Sequence, residues 1–184
     1  EAVENRVESI NNYFNKGIFD KGSNTIFGEG GAGTFSDGKL TTNLNDPYIR
    51  FILEQFVECG ADTEILYQAK PHIGTDVLVK VVKNLRHKII SLGGEFRFNS
   101  TLMDIDILDG KVNKAIIKNQ DEIYEENVDG LILAIGHSAR DTFEMLFRKG
   151  VHIEQKAFSM GVRIEHKQEM INKAQYGRFF DSKY

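Results

Sequence analysis

The run from Gly28 to Thr42, GEGGAGTFSDGKLTT, places glycines at 28, 30, 31, 33 and 38. A helix or strand gains little by running through such a segment, because each glycine adds backbone freedom that regular structure must remove. The loop therefore separates a short N-terminal segment from the longer remainder of the chain. The same glycines leave the backbone unshielded, able to take positive φ and to bring N–H groups against an anion or a flat ring. Thr34, Ser36, Asp37 and Lys39 add donors, an acceptor and one positive charge. The spacing Gly28-x-Gly30-x-x-Gly33 formally matches a GxGxxG fingerprint, but its flanks argue against a strand–turn–helix. KGSNTIF before it is no buried strand, and the residues after Gly33 do not open an apolar helix. On spacing alone, a flexible surface loop and a ligand-facing wall both stay open.

Ahead of the loop, Val3, Val7, Ile10 and Phe14 form one helical stripe that Gly17 ends. Behind it, Asp46 is placed to cap a helix with Pro47 in its first turn. Ile49, Ile52, Leu53, Phe56 and Val57 mark the buried face of that helix, and Gly60 comes just after its end. A third helix is expected from Thr75 or Asp76 to about Leu92, with Val77, Leu78, Val81, Leu85 and Ile89 inward. Its basic cluster (Lys83, Arg86, His87, Lys88) reads best as a solvated face. The period then changes to two. Asp109-Gly110 is a type I′ hairpin signal between strand-like runs at 102–108 and 112–117. A weaker turn at Asn119-Gln120 leads to a third strand over 122–124, giving a small antiparallel meander.

Val128 to Ile135 contains the wholly apolar run LILAI, the expected pattern of a strand buried on both faces of a parallel sheet. Gly136 comes next, and Ser138 with Asp141 has capping-box-like spacing for a helix through Phe147. Strand, glycine and helix N-terminus together form the geometry at which open α/β sheets hold ligands. KPHIGTD (70–76) sets Lys70 and His72 before a helix start, although a lone loop histidine is more often a surface or structural residue. Phe158, Met160, Val162 and Ile164 alternate, and a short helix is expected near 170–174.

Composition excludes several classes. The chain has 184 residues, is 41% apolar, and carries a net charge of -4, which suits a folded core and gives no basic excess for nucleic acid. No apolar run reaches the ~20 residues of a membrane span. The single cysteine, Cys59, permits no internal disulfide and reads as a buried thiol. The histidines show no metal-ligand spacing. A cytoplasmic location fits these features.

Four stretches together, FGEGGAGTFSDGKLTT, EILYQAKPHIGTDVL, LILAIGHSARDTFEML and FSMGVRIEHKQEMIN with QYG after it, resemble the FAD-dependent (NAD(FAD)-utilising) dehydrogenases of the two-dinucleotide-binding flavoprotein superfamily. The resemblance implies an α/β fold: part of a Rossmann-like FAD/NAD(P)-binding domain over 1–156, carrying the three-stranded meander, and the start of a second, substrate domain over 157–184. The first βαβ fingerprint of such proteins is not among these residues, so the chain reads as a central piece of a longer flavoprotein. The implied cofactor is FAD, with NAD(P)H as a candidate electron donor and a small molecule as substrate.

By the family pattern, Gly30, Gly31, Ala32, Gly33, Thr34, Ser36, Asp37 and Lys39 would pass the pyrophosphate and flavin; from its charge alone, Lys39 beside the ring would favour the anionic reduced form. Leu102 and Met103 would face the adenine through their backbone. Ala134 and Gly136 would close over the adenosine, with Ile135 standing where the family usually has Thr. Lys70, His72 and Arg163 would lie toward the substrate side, and no catalytic role attaches to any of them. The rival class is a binding or regulatory protein that keeps the fold and uses the nucleotide structurally.

Overall fold

A computed structural model describes residues 1–36, 38–42 and 44–180. The elements run α1 (Val3–Lys16), a short 3-10 turn (Ala32–Phe35), α2 (Tyr48–Glu58), a second 3-10 turn (Thr63–Leu66), α3 (Thr75–Ser91), β1 (Ser100–Leu108), β2 (Lys111–Asn119), β3 (Glu122–Asn127), α4 (Arg140–Arg148) and α5 (Gln168–Tyr176). Among the described residues the result is a mixed α/β arrangement with five helices and a three-stranded antiparallel sheet in the order β1-β2-β3. It divides into two compact units, Glu1–Val151 and a smaller one from His152 onward.

Local chemistry sets most boundaries. Gly17 ends α1 in the left-handed conformation, φ 69°. The Asp46 carboxylate accepts from the Tyr48 N–H at 2.8 Å, so it caps α2 as its spacing predicts. After α2, the Ala61 N–H returns to the Phe56 carbonyl at 2.9 Å, and Gly60 takes φ 110°. Asp109 and Gly110 have φ 51° and 75°, the pair of positive values a type I′ turn requires. Gln120, φ 53°, turns β2 into β3.

Unit one has two cores. Cys59, Ala61, Ile65, Ile73, Leu78 and Val81 form the helical core, with Leu53, Phe56 and Val57 of α2 packed against it. The second core joins Ile105 of β1 to Met145 and Leu146 of α4. Cys59 is buried, as its setting implies. Ile52 departs from the expected α2 face and stays about half exposed, 48%.

Three expectations are corrected. The run 131–135 forms no strand, and Ile132 is 93% exposed. A strand exists only where a neighbour offers a ladder, and among the described residues no segment pairs with this one. Leu131 alone reaches the second core. Next, α4 begins at Arg140 with Ala139 as its cap residue and no side-chain cap bond, and the Ser138 hydroxyl lies 3.3 Å from His137 Nδ1. Last, Arg86 is not solvated. It is buried, because two carboxylates from other segments draw it inward.

In the second unit, 152–167 is irregular and exposed, and α5 covers the helix expected near 170–174. The alternating residues Phe158, Met160, Val162 and Ile164 form no strand and are all solvent-exposed, since among the described residues no segment pairs with them.

Candidate functional site

The glycine-rich loop is held from beneath. Arg6 of α1 has no exposed surface. Its Nη1 donates to the carbonyls of Gly28 (3.3 Å), Glu29 and Gly31 (3.0 Å), and its Nη2 donates to Asn24 O at 2.9 Å. The guanidinium also lies over the Phe35 ring at 4.7 Å. Burial pulls the Arg6 pKa below the usual guanidinium value, and the nearby charges of Glu1 and Glu29 oppose that pull. One planar, five-donor side chain thus fixes loop carbonyls that would otherwise need water.

Glu29 locks the loop from the side. Its Oε2 accepts from the Val3 N–H at the start of α1 (2.8 Å) and from Arg86 Nη1 (2.8 Å). A carboxylate at a helix N-terminus meets unpaired N–H groups and the positive end of the dipole. Arg86 Nη2 also pairs with Glu4 at 2.7 Å, and Lys83 joins at 3.1 Å. The Arg86 hydrogen bond is the main reason the Glu4 carboxyl is lowered from 4.5 to about 2; burial works against it, and the bonds from its own backbone and from Lys83 assist.

The glycines divide into two kinds. At Gly28 and Gly30 an added Cβ would sit 2.4 Å from Arg6 Cδ and 2.1 Å from Thr34 Oγ1. At Gly38 it would meet the Ile73 carbonyl at 1.9 Å. Packing inside the chain explains these three. Gly31 needs its φ of 64° but would meet nothing. Gly33 sits in the 3-10 turn without positive φ, and a Cβ there would touch no atom among the described residues. Gly33 nevertheless lines a cavity of about 330 Å³ together with apolar residues such as Phe56, Val82 and Ile89, with Glu29 and Arg86 also on its wall.

The remaining expected site residues scatter. Gly30 and Lys39 line the same cavity as Gly33. Ala32 and Ser36 are exposed on the loop, whereas Thr34 is fully buried, with a hydroxyl that has no partner among the described residues. Thr34 therefore supports the loop and offers no surface to a ligand. Asp37 lies outside the described residues. Leu102 and Met103 line a separate cavity of about 370 Å³ between β1 and α4. The β1–β2 register shifts between Leu102 and Asp104, so Met103 is the extra residue of a bulge. On that cavity's wall, a hydrogen bond from Lys149 (2.7 Å) holds Asp104 below the usual carboxylate range.

Among the described residues, none lines both cavities. Ala134 and Gly136 lie in exposed irregular backbone, and neither lines these cavities. Lys70 and His72 come beside Lys39, because Lys39 and His72 form an antiparallel bridge. Arg163 belongs to the second unit and is exposed. The sequence pattern does not mark Arg6 or Glu29 as site residues, and it places Arg86 on a solvated face. The available signal was Arg6 itself, a charge three residues after Val3 on the buried stripe of α1. Among the described residues no cluster of His, Cys, Asp or Glu could hold a metal ion, and no helix is long and apolar enough to cross a membrane.

No family model matches the chain. A protein of Clostridium beijerinckii, itself uncharacterized, is 49% identical over 177 residues, which cover 96% of this chain and 32% of the relative. The chain thus spans about a third of the length of the relative it matches.

Proposed function

We propose that the chain forms the ring-facing wall of the FAD site in a longer flavin-dependent oxidoreductase. Gly33 carries this reading. A glycine in a helical turn costs roughly 0.5–1 kcal/mol against alanine. Neither backbone conformation nor packing among the described residues calls for one here. A bound group that must lie against the backbone does call for one. The surroundings fit a flat, mostly apolar ring with polar edges: the cavity is lined by the fixed loop, by Phe56, Val82 and Ile89, and by Lys39. The resemblance of the sequence run FGEGGAGTFSDGKLTT to the flavoprotein family supports the same assignment.

When bound, the flavin would supply hydride transfer; the protein supplies binding, orientation and electrostatics. Arg6 and Glu29 hold the loop rigid, so that little ordering cost falls on the binding step. The bare backbone at Gly31 and Gly33 would let the ring approach closely. Lys39 would place positive charge near the ring. The bulged backbone at Met103 would serve the adenine end.

The test uses the longer protein. It is expected to purify with bound FAD whose absorbance NADH or NADPH bleaches. Gly33→Val should remove the flavin while leaving the far-UV circular dichroism and the unfolding midpoint close to the parent. A Gly33→Val protein that keeps stoichiometric FAD would sink the reading. Bound FAD that neither nicotinamide reduces would instead favour a structural nucleotide or another electron donor.

A further inference from the structure

We infer that residues 158–164 are an interaction surface whose partner is a β-sheet edge supplied by the longer protein outside these 184 residues. The segment adds to that edge as a strand, and a layer of the longer protein covers Phe158, Met160, Val162 and Ile164. The inference does not depend on the flavin assignment. It starts from an imbalance in the second unit. No residue of 152–180 is buried. The four apolar side chains just named are between 67% and 86% exposed. Holding a backbone in one conformation costs entropy, and buried apolar surface ordinarily offsets that cost. A row of large apolar side chains left in water marks a surface that another body covers.

The spacing specifies the kind of body. The four residues occupy alternate positions, which extended chain places on one face. Ser159, Gly161, Arg163 and Glu165 then fall on the other. Lys156 and His166 bound the apolar row at its two ends. A helix would set Phe158 and Met160 on nearly opposite sides, because two residues turn it by about 200°. One apolar and one polar face is the pattern of a strand in an antiparallel sheet covered on one side. Such a segment gains main-chain hydrogen bonds from the sheet edge and burial from the covering layer.

Two observations decide where the edge comes from. The relative that matches 96% of this chain has about two-thirds of its own length outside the match, ample for a sheet and its covering layer. A second copy of the 184 residues offers a poorer edge. At one side of its sheet, β3 carries Glu122, Glu125 and Glu126, and charges along an edge strand discourage further pairing. At the other side, β1 has register shifts between Leu102 and Asp104 and between Asp106 and Ile107. Such irregularities bend an edge away from a new strand.

The experiment compares amide hydrogen exchange in the 184-residue chain and in the longer protein. Amides of 158–164 should exchange near the unprotected rate in the short chain. In the longer protein they should exchange at least about a hundredfold more slowly, because a ladder bond must open first. Single cysteines then separate the faces. Met160→Cys and Val162→Cys should react with a maleimide in the short chain and be shielded in the longer protein, whereas Ser159→Cys and Arg163→Cys should react in both. Cys59 is buried, so the parent serves as the blank. Should a cysteine variant fail to fold, exchange in the unsubstituted proteins still decides. Equally fast exchange of 158–164 in both proteins would overturn the inference, as would shielding of Ser159→Cys equal to that of Val162→Cys. Protection in the short chain that rises with its concentration would also overturn it and assign the surface to a second copy. A longer protein that purifies without FAD would sink the flavin assignment and leave this comparison unchanged.

Discussion

At the scale of single residues, Arg6 has the largest structural consequence. It is a full charge with no exposed surface, and four loop carbonyls depend on it. Each buried acceptor left without a donor costs about 1–3 kcal/mol. Arg6→Met keeps much of the stem volume and removes every donor. It is expected to lower the unfolding free energy by about 3 kcal/mol or more, because several buried acceptors lose their donor at once. Urea denaturation measures this, and a loss under about 1 kcal/mol would mean that water replaces the guanidinium at no great cost. Glu4 carries a pH prediction. Its folded value of about 2 lies below its ordinary 4.5. Linkage gives the sign: the contribution is complete above pH 4.5 and is lost as pH falls toward 2. The stability gap between the parent and Glu4→Gln should therefore be constant from about pH 7 to 5 and should shrink below that. A gap unchanged at about pH 3 would show that the Arg86 pairing does not stabilise the fold.

At the scale of elements, the features legible in the sequence are those that short-range chemistry decides. Gly17, the Asp46 cap and the Asp109-Gly110 turn each act through bonds within a few residues, and each does what its residue types imply. The meander is a consequence, because such a turn fixes the register of the strands it joins. The run 131–135 shows the limit. Its composition is that of a doubly buried strand, yet strand formation needs hydrogen-bond partners that composition cannot supply. The Arg6 and Arg86 networks were illegible for a related reason. Their acceptors lie 18 to 82 residues away in sequence, beyond any local pattern. Hydrogen exchange tests this contrast. Amides of 132–135 have no ladder partner among the described residues and should exchange close to the unprotected rate, whereas Ala115, buried on the central strand β2 and paired on both sides, should be among the slowest. Protection at 132–135 comparable to that of Ala115 would mean the run is paired in solution.

At the scale of the molecule, the flavin assignment divides the cofactor between two places that this chain holds apart. The glycine loop and α3 line one cavity, β1 and α4 line another, and among the described residues none belongs to both. A dinucleotide bridging them would need its pyrophosphate neutralised in between. The usual device is a glycine turn leading into a helix N-terminus, where free N–H groups and the dipole act together. Among the described residues, the one segment with that spacing, Gly28 to Gly33, spends its carbonyls on Arg6 and enters a four-residue 3-10 turn instead of an α-helix. On the proposed reading the pyrophosphate site must therefore come from the longer protein. The expected outcome is a sharp difference in retention: the 184-residue chain should leave a sizing column without stoichiometric FAD, whereas the longer protein should keep it. Adding FAD to the short chain should then perturb the amides of Gly31 and Gly33 only weakly, since a ring held without its phosphates loses most of its charge-assisted contacts. A short chain that carries one tightly held FAD would show that the two walls suffice, and it would place the phosphate contacts on residues other than a helix N-terminus.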